Sequence, residues 1–291
     1  MINRSTSISR RELLQCAAAG AVAAGLPSVS TWAQAAQAAK PGIALQLYSV
    51  RDDCAKDFDR TLEAVAKMGF EAVEFAGYHS YGDNPPGLRK RLDDLGLKVA
   101  GTHIGTDRLV GDALSKTVAF HQVIGCQYLI VPGDGRFTDP EKSKELAEIF
   151  NEAARRLKPQ DMYTGYHNHT HEFHKDGDKT YWELFAERTT PDVVLQQDVG
   201  WTTAAGVDPV ALIRKYPGRH QIIHCKPAVV GDTGKAYIGQ DSVQWKEIFR
   251  ACEEVGATRW YTIEQEVYPD GNSPMECTRR SLAGLKQILG R

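Results

Sequence analysis

The feature that most constrains this chain is a rhythm. Short apolar runs ending in polar residues alternate with helical stretches from Pro41 to the C-terminus. The strand candidates are Ile43–Tyr48, Ala72–Phe75, Val99–His103, Tyr128–Val131, Tyr163–His167, Val193–Asp198, Gln221–His224 and Trp260–Glu264. Between them lie amphipathic segments; Phe58, Leu62, Val65 and Met68, for example, fall on one helical face. Four segments stop on a common signal, Met68-Gly69, Leu95-Gly96, Ile124-Gly125 and Val255-Gly256, where glycine supplies a left-handed cap. Strands alternating with helices imply a parallel sheet with right-handed crossovers. Eight units with no Gly-x-Gly-x-x-Gly after the first strand predict an α/β fold, a single (β/α)8 TIM barrel, over an open dinucleotide-binding sheet.

The 291 residues exceed what such a barrel needs, about 250. Residues 40–291 are therefore read as one barrel domain and residues 1–39 as something else. That segment has a charged start, Ser9-Arg10-Arg11-Glu12-Leu13-Leu14, an Ala/Gly/Val-rich run to Leu26, and small residues around Ala33 and Ala35. These are the three parts of an export signal, and the adjacent arginines mark the twin-arginine type. The expectation is a periplasmic protein whose first partner is the twin-arginine export machinery, a route that carries folded chains. Without this segment 32 basic and 36 acidic residues remain, no surplus for holding nucleic acid. No apolar run of about 20 residues lies in the body of the chain, so no stable membrane insertion is expected. Cys54, Cys126, Cys225, Cys252 and Cys277 are scattered with no CxxC, which predicts buried free thiols. An oligomer is compatible with the sequence, which does not decide it.

In a barrel of this kind the active site lies at the carboxyl ends of the strands, and polar residues collect there. Gln46 and Tyr48 end the first strand, Glu74 lies on the second and His103 ends the third. The fifth runs into Tyr166-His167-Asn168-His169-Thr170-His171-Glu172-Phe173, and the sixth into Gln196-Gln197-Asp198-Val199-Gly200-Trp201. The seventh ends His224-Cys225-Lys226 and the eighth Glu264-Gln265-Glu266. Residues two apart face the same way, so His167 pairs with His169, His224 with Lys226, and Glu264 with Glu266. Imidazoles and carboxylates converging from separate strands describe an N/O site for one divalent ion: manganese first, with cobalt, zinc and magnesium as alternatives. A strand-end acid also serves often as a buried ion pair, and Lys226 reads equally as a solvated rim charge or as a partner for an oxyanion.

Four motifs carry a family resemblance. They are Tyr-His-Asn-His-x-x-Glu-Phe at 166–173, Asp-Val-Gly-Trp at 198–201, Gly-Arg-x-x-x-x-His-x-Lys at 218–226 and Ile-Glu-Gln-Glu at 263–266. With them the chain resembles the xylose isomerase-like sugar phosphate isomerase/epimerase superfamily, which also contains the family-2 AP endonucleases. The resemblance implies one divalent ion on four ligands, which by position are His167, Asp198, His224 and Glu264. It departs at the first of these: the family's strand-five carboxylate, in a Glu-Asn-His setting, is His167 here. A mechanism that exchanges protons between two carboxylates is therefore not assumed, and His167 is read as ligand or as base.

The expected reaction is proton transfer beside a carbonyl in a sugar or sugar derivative, giving isomerisation or epimerisation through an enediolate. The base is Glu264, Glu74, His103 or His167. Gln46, Tyr48, His169, Glu172, Trp201, Lys226 and Glu266 are the candidate substrate contacts. The alternatives are a metal-dependent lyase that eliminates from 3-keto-glycosides, and a periplasmic barrel that binds sugar without catalysis. A DNA-cleaving role would require a basic groove, which the sequence does not supply.

Overall fold

The computed structural model describes residues 40–229, 232–233 and 236–291, so the expected export signal lies outside the described residues. Eight parallel strands close into a barrel. They are β1 (Gly42–Gln46), β2 (Ala72–Phe75), β3 (Lys98–His103), β4 (Tyr128–Val131), β5 (Tyr163–His167), β6 (Val194–Asp198), β7 (Ile222–Cys225) and β8 (Trp260–Ile263). Each pairs with its sequence neighbour, and β8 returns to β1 with Trp260 beside Gly42 and Ile263 beside Leu45. The predicted (β/α)8 barrel is the observed fold.

Helices cover the outside, and their apolar stripes build the core against the sheet. In helix Phe58–Met68 the residues Phe58, Thr61, Leu62 and Val65 are buried, and the Asp57 carboxylate caps its start by accepting from the Arg60 amide. Three of the four expected glycine caps take left-handed φ: Gly69 at 92°, Gly96 at 68° and Gly125 at 76°. The fourth differs. A π-helical turn, Cys252–Gly256, moves the cap one residue on, so Ala257 takes φ 56°. Gly256 is closely packed instead: a Cβ would sit 2.7 Å from Thr258 Oγ1, which would have to give way.

The barrel interior changes character along its axis. At the amino end the Trp260 ring packs against Ala44, Ala72 and Ala100, small residues that make room for one large one. Tyr128, Ile130, Val194 and Ile222 form a further apolar cluster. Toward the carboxyl ends the buried side chains become polar: Gln46, Glu74, His167, Gln196, Asp198 and His224 are all fully buried. Gly101 on β3 leaves room for this layer, because a Cβ would lie 3.1 Å from Glu74 Oε1.

One strand end needs correction. β1 stops at Gln46, whose Oε1 accepts from the Tyr48 amide and bends the chain into the 3-10 turn Leu47–Val50. Tyr48 thus stands 44% exposed beyond the strand instead of inside the barrel. The cysteines Cys54, Cys126, Cys225, Cys252 and Cys277 are all buried and unpaired, as expected. Among the described residues no helix is long and apolar enough to cross a membrane.

Candidate metal centre

Strand register brings the polar residues together. His167 sits beside Gln196 across β5–β6, Asp198 beside His224 across β6–β7, and His224 beside Thr262 across β7–β8. Glu264 follows directly after β8. As a result His167, Asp198, His224 and Glu264 each offer one donor atom, and these four atoms lie within 4.8 Å of one another. The trio His103, His167 and His224 meets the same criterion. The set is two imidazoles and two carboxylates with no thiolate, which suits a divalent ion of borderline hardness. Asp198 also has a spare donor. Its Oδ1 accepts from the Trp201 amide at 2.7 Å, while its buried Oδ2 has no hydrogen-bond partner among the described residues. A buried carboxylate oxygen without a partner is costly unless a cation claims it, so the residues fit a metal ion.

Around this set lies a dense network. Glu74 Oε1 accepts from Gln196 Nε2 at 2.7 Å, and Glu74 Oε2 lies 2.6 Å from His224 Nε2. Gln196 Oε1 lies 2.9 Å from His103 Nε2 and 3.1 Å from His167 Nδ1. His224 Nδ1 is 3.1 Å from Glu264 Oε2. Lys226 is buried rather than a solvated rim charge. Its Nζ lies 2.9 Å from Glu266 Oε1, 3.3 Å from Glu264 Oε2 and 4.0 Å from Asp198 Oδ2, with the Trp201 ring 4.7 Å away. Gly200 permits this approach, since a Cβ there would lie 2.5 Å from the Lys226 carbonyl oxygen.

Burial opposes charge on all these groups, so partners decide which stay ionised. Burial pushes Glu74 up, but the His224 and His103 charges and two hydrogen bonds bring it below its usual range. Burial lowers His224, yet Glu74 and Glu264 outweigh this and raise it to about 10. Burial likewise works to raise Glu264, and Lys226 and His224 hold it well below the ordinary value. For Asp198 burial wins over Lys226 and lifts it to about 7. Burial depresses His103 against the pull of Glu74, and depresses His167 further with help from the His224 and His103 charges. Lys226 is raised, because Glu264, Asp198 and Glu266 together overcome its desolvation. Burial therefore keeps His103 and His167 below the ordinary imidazole value, while the surrounding carboxylates keep Lys226 cationic.

The remaining sequence candidates fall into two groups. Gln46 Nε2, His169 Nδ1 and Trp201 Nε1 are buried and without hydrogen-bond partners among the described residues, and the His169 and Trp201 rings lie 5.6 Å apart. Glu172 is fully buried and faces the protein: its Oε2 accepts from the His169 amide at 2.8 Å, and its Oε1 lies 3.0 Å from His171 Nε2. His171 and His174 are exposed in the loop. Two residues escaped the sequence reading. Asn168 ties β5 to β6 by accepting from the Asp198 amide at 3.0 Å. Gln196 links His103 and His167 to Glu74, and its position two residues before Asp198, hence on the same face, was the available signal.

A family described as xylose isomerase-like TIM barrel matches residues 62–288. The chain belongs to this family. Among curated proteins it is 28% identical over 192 residues to an inosose dehydratase of Geobacillus kaustophilus, covering 58% of this chain and 61% of that one. The match thus spans under two thirds of that relative's length. Two solved structures of sugar phosphate isomerase/epimerase proteins from Parabacteroides distasonis are also similar. One is 25% identical with a TM-score of 0.72, covering 86% of this chain and 96% of that one. The other is 28% identical with a TM-score of 0.71, covering 84% and 97%.

Proposed function

We propose that this chain is a divalent-metal-dependent enzyme that removes a proton beside the carbonyl of a sugar or a cyclic polyol ketone. The observation that carries this reading is the convergence of His167, Asp198, His224 and Glu264 within 4.8 Å, bordered by neutral His103 and cationic Lys226. Two imidazoles with two carboxylates suit manganese, cobalt or zinc better than magnesium, which prefers oxygen ligands. An ion bound there supplies charge that polarises the carbonyl and acidifies the neighbouring C–H.

The side chains then divide the work. His103 is neutral, and its side chain keeps 10% exposure where the ligand set is otherwise sealed, so it takes the proton. Glu74 is a poorer base, since both its oxygens are spent on Gln196 and His224. The Lys226 ammonium donates to the oxygen that gains charge. Gln46, His169 and Trp201 direct their unpaired polar atoms to substrate hydroxyls.

Elimination needs the fewest groups. His103 hands the proton it has taken to the hydroxyl leaving the next carbon, so one C–H and one C–O bond break, a C=C bond forms and water departs. The inosose dehydratase relative supports this outcome. Epimerisation calls for a second acid on the opposite face of the sugar, and the β5 position that would hold it carries His167. That second reading is supported by the likeness to the sugar phosphate isomerase/epimerase structures. A twin-arginine signal at residues 1–39 would place the reaction in the periplasm, which fractionation of cells expressing Arg10→Lys/Arg11→Lys beside the parent tests.

The deciding experiment incubates metal-loaded protein with inososes, aldoses, ketoses and 3-keto-glycosides in deuterated water. Elimination gives an enone, with water from an inosose or the aglycone alcohol from a 3-keto-glycoside; epimerisation or isomerisation gives deuterated isomers without an enone. Metal-loaded protein that forms no elimination product from any of them and exchanges no deuterium into any of them would overturn the enzymatic reading in favour of a binding barrel.

A further inference from the structure

We propose that Gln196 and Glu74 are positioning residues that form a tautomer clamp, fixing which ring nitrogen carries hydrogen in His167 and His103 and holding the His224 ring by its Nε2–H. The clamp leaves the Nε2 lone pair of His167 for the ion and turns the Nδ1 edge of His224 toward it. This rests on the metal-centre reading above.

A carboxylate only accepts hydrogen bonds. Glu74 Oε1 must therefore face the amide nitrogen of Gln196, 2.7 Å away, because the flipped amide would set two oxygens at that distance. With the amide so oriented, Gln196 Oε1 points at His103 Nε2 and His167 Nδ1, at 2.9 and 3.1 Å. That oxygen also only accepts, so both ring nitrogens carry hydrogen. On the other side Glu74 Oε2 stands 2.6 Å from His224 Nε2, which is likewise a donor.

An imidazole with one N–H presents its lone pair on the other nitrogen. His167 is left with Nε2 for the ion. His224 Nδ1 lies 3.1 Å from Glu264 Oε2 and 4.0 Å from Asp198 Oδ2, inside the proposed ligand set; by the same rule it carries hydrogen in the ion-free chain, and an ion bound there would take that hydrogen's place. His103 is left with Nδ1 as a free acceptor, which agrees with a role as base. Neither Gln196 nor Glu74 belongs to the ligand set, yet one amide and one carboxylate orient all three rings. Outer partners of this kind commonly govern metal affinity.

The clamp makes an unusual demand, because its polarity runs in one direction. In Glu74→Gln the new side chain has the same shape but carries an amide. To keep an oxygen on His224 Nε2–H it must turn its NH2 toward Gln196. Gln196 then flips and sets its own NH2 against His167 Nδ1, which drives His167 to the Nε2–H form and removes its lone pair from the ion site. Gln196→Glu alone sets two carboxylates face to face. The double variant Glu74→Gln/Gln196→Glu restores every donor and acceptor, with amide and carboxylate exchanged.

The test uses chelator-stripped full chain titrated with zinc, together with ¹⁵N NMR of the histidine rings before zinc is added. Each single variant should lose about 10–100-fold in zinc affinity. The double variant should recover about tenfold or more of that loss, a rescue that a merely structural role would not give. In the parent, His167 should carry its hydrogen on Nδ1; in Glu74→Gln, on Nε2. A double variant as weak as the weaker single, or an Nε2–H signal for His167 in the parent, would overturn the clamp. If the parent binds no zinc, manganese or cobalt the metal reading fails instead, and the nitrogen signals of the stripped parent still decide the clamp.

Discussion

Lys226→Met tests whether the centre is a set of carboxylates waiting for a cation. Lys226 is fully enclosed and reaches Glu266, Glu264 and Asp198 at 2.9, 3.3 and 4.0 Å. Methionine keeps much of the stem packed on Trp201 but removes the charge. Glu264 and Asp198 then lose a buried partner, and breaking a buried ion pair by deleting one member costs about 3–5 kcal/mol. For a domain of this size 1 kcal/mol shifts Tm by about 2–4 °C, so metal-free Lys226→Met should melt about 6–20 °C below the parent. Saturating zinc or manganese should close much of the gap, because the ion neutralises the same oxygens. The variant should also bind the ion more tightly. A unit charge about 4 Å away is worth about 4 kcal/mol at an effective dielectric of about 20, and even a quarter of that is about fivefold in affinity. Scanning calorimetry with chelator and with metal, followed by calorimetric titration, measures all three quantities. Equal Tm values in chelator, or weaker ion binding by the variant, would refute the reasoning.

Asp198→Ala and His224→Ala should each lose at least about tenfold in ion affinity, read as bound metal after dialysis; three proteins with the same stoichiometric ion would show the assignment to be wrong. His121 lies away from the centre, buried, with Nε2 2.6 Å from the Tyr78 hydroxyl, and burial lowers its pKa to about 4. Its unfolded value is about 6.5, so its contribution is fully present above pH 6.5 and is lost as pH falls through 4, on the order of 3 kcal/mol in all. Thermal melts from pH 7 to 4 should therefore fall less steeply in His121→Gln than in the parent. Gly165→Ala would drive a Cβ into the Val194 carbonyl oxygen at the β5–β6 pairing. That should cost about 1–3 kcal/mol in urea unfolding and lower metal affinity too, since His167 lies two residues on.

The fold was legible because its signals are local and repeated. Each apolar run with a polar end needs only a few residues to be read, and a glycine after a helix acts wherever the chain goes next. The failures mark places where a contact distant in sequence or a side-chain bond overrides the local signal. Gln46 bends its own strand end and so turns Tyr48 out to solvent. Gly256 packs closely on Thr258 instead of taking a left-handed φ. At the centre, alternation showed which residues share a face, but not how donors pair with acceptors across β2, β3, β5, β6 and β7. Glu172, expected as a substrate contact in the loop, accepts from the His169 amide with Oε2, a bond that spacing does not show.

The same distinction explains why Gln196 and His167 belong together. A carboxylate has no tautomer, so a strand-five acid can meet a metal ion without an outer group choosing a nitrogen for it. An imidazole has one useful form and one useless form, and the choice falls to whatever touches its far nitrogen. On the proposed reading of His167 as a ligand, its far nitrogen needs an acceptor, and Gln196 Oε1, 3.1 Å from His167 Nδ1, is placed to be one. The dependence should disappear with the imidazole. Gln196→Met in the parent should weaken ion binding by about 10–100-fold, whereas in a His167→Glu background the same change should have little effect. Zinc titrations of the four proteins give the coupling directly as a double-mutant cycle. Equal losses in both backgrounds would mean that Gln196 supports the site through Glu74 alone and that the histidine on strand five does not depend on it.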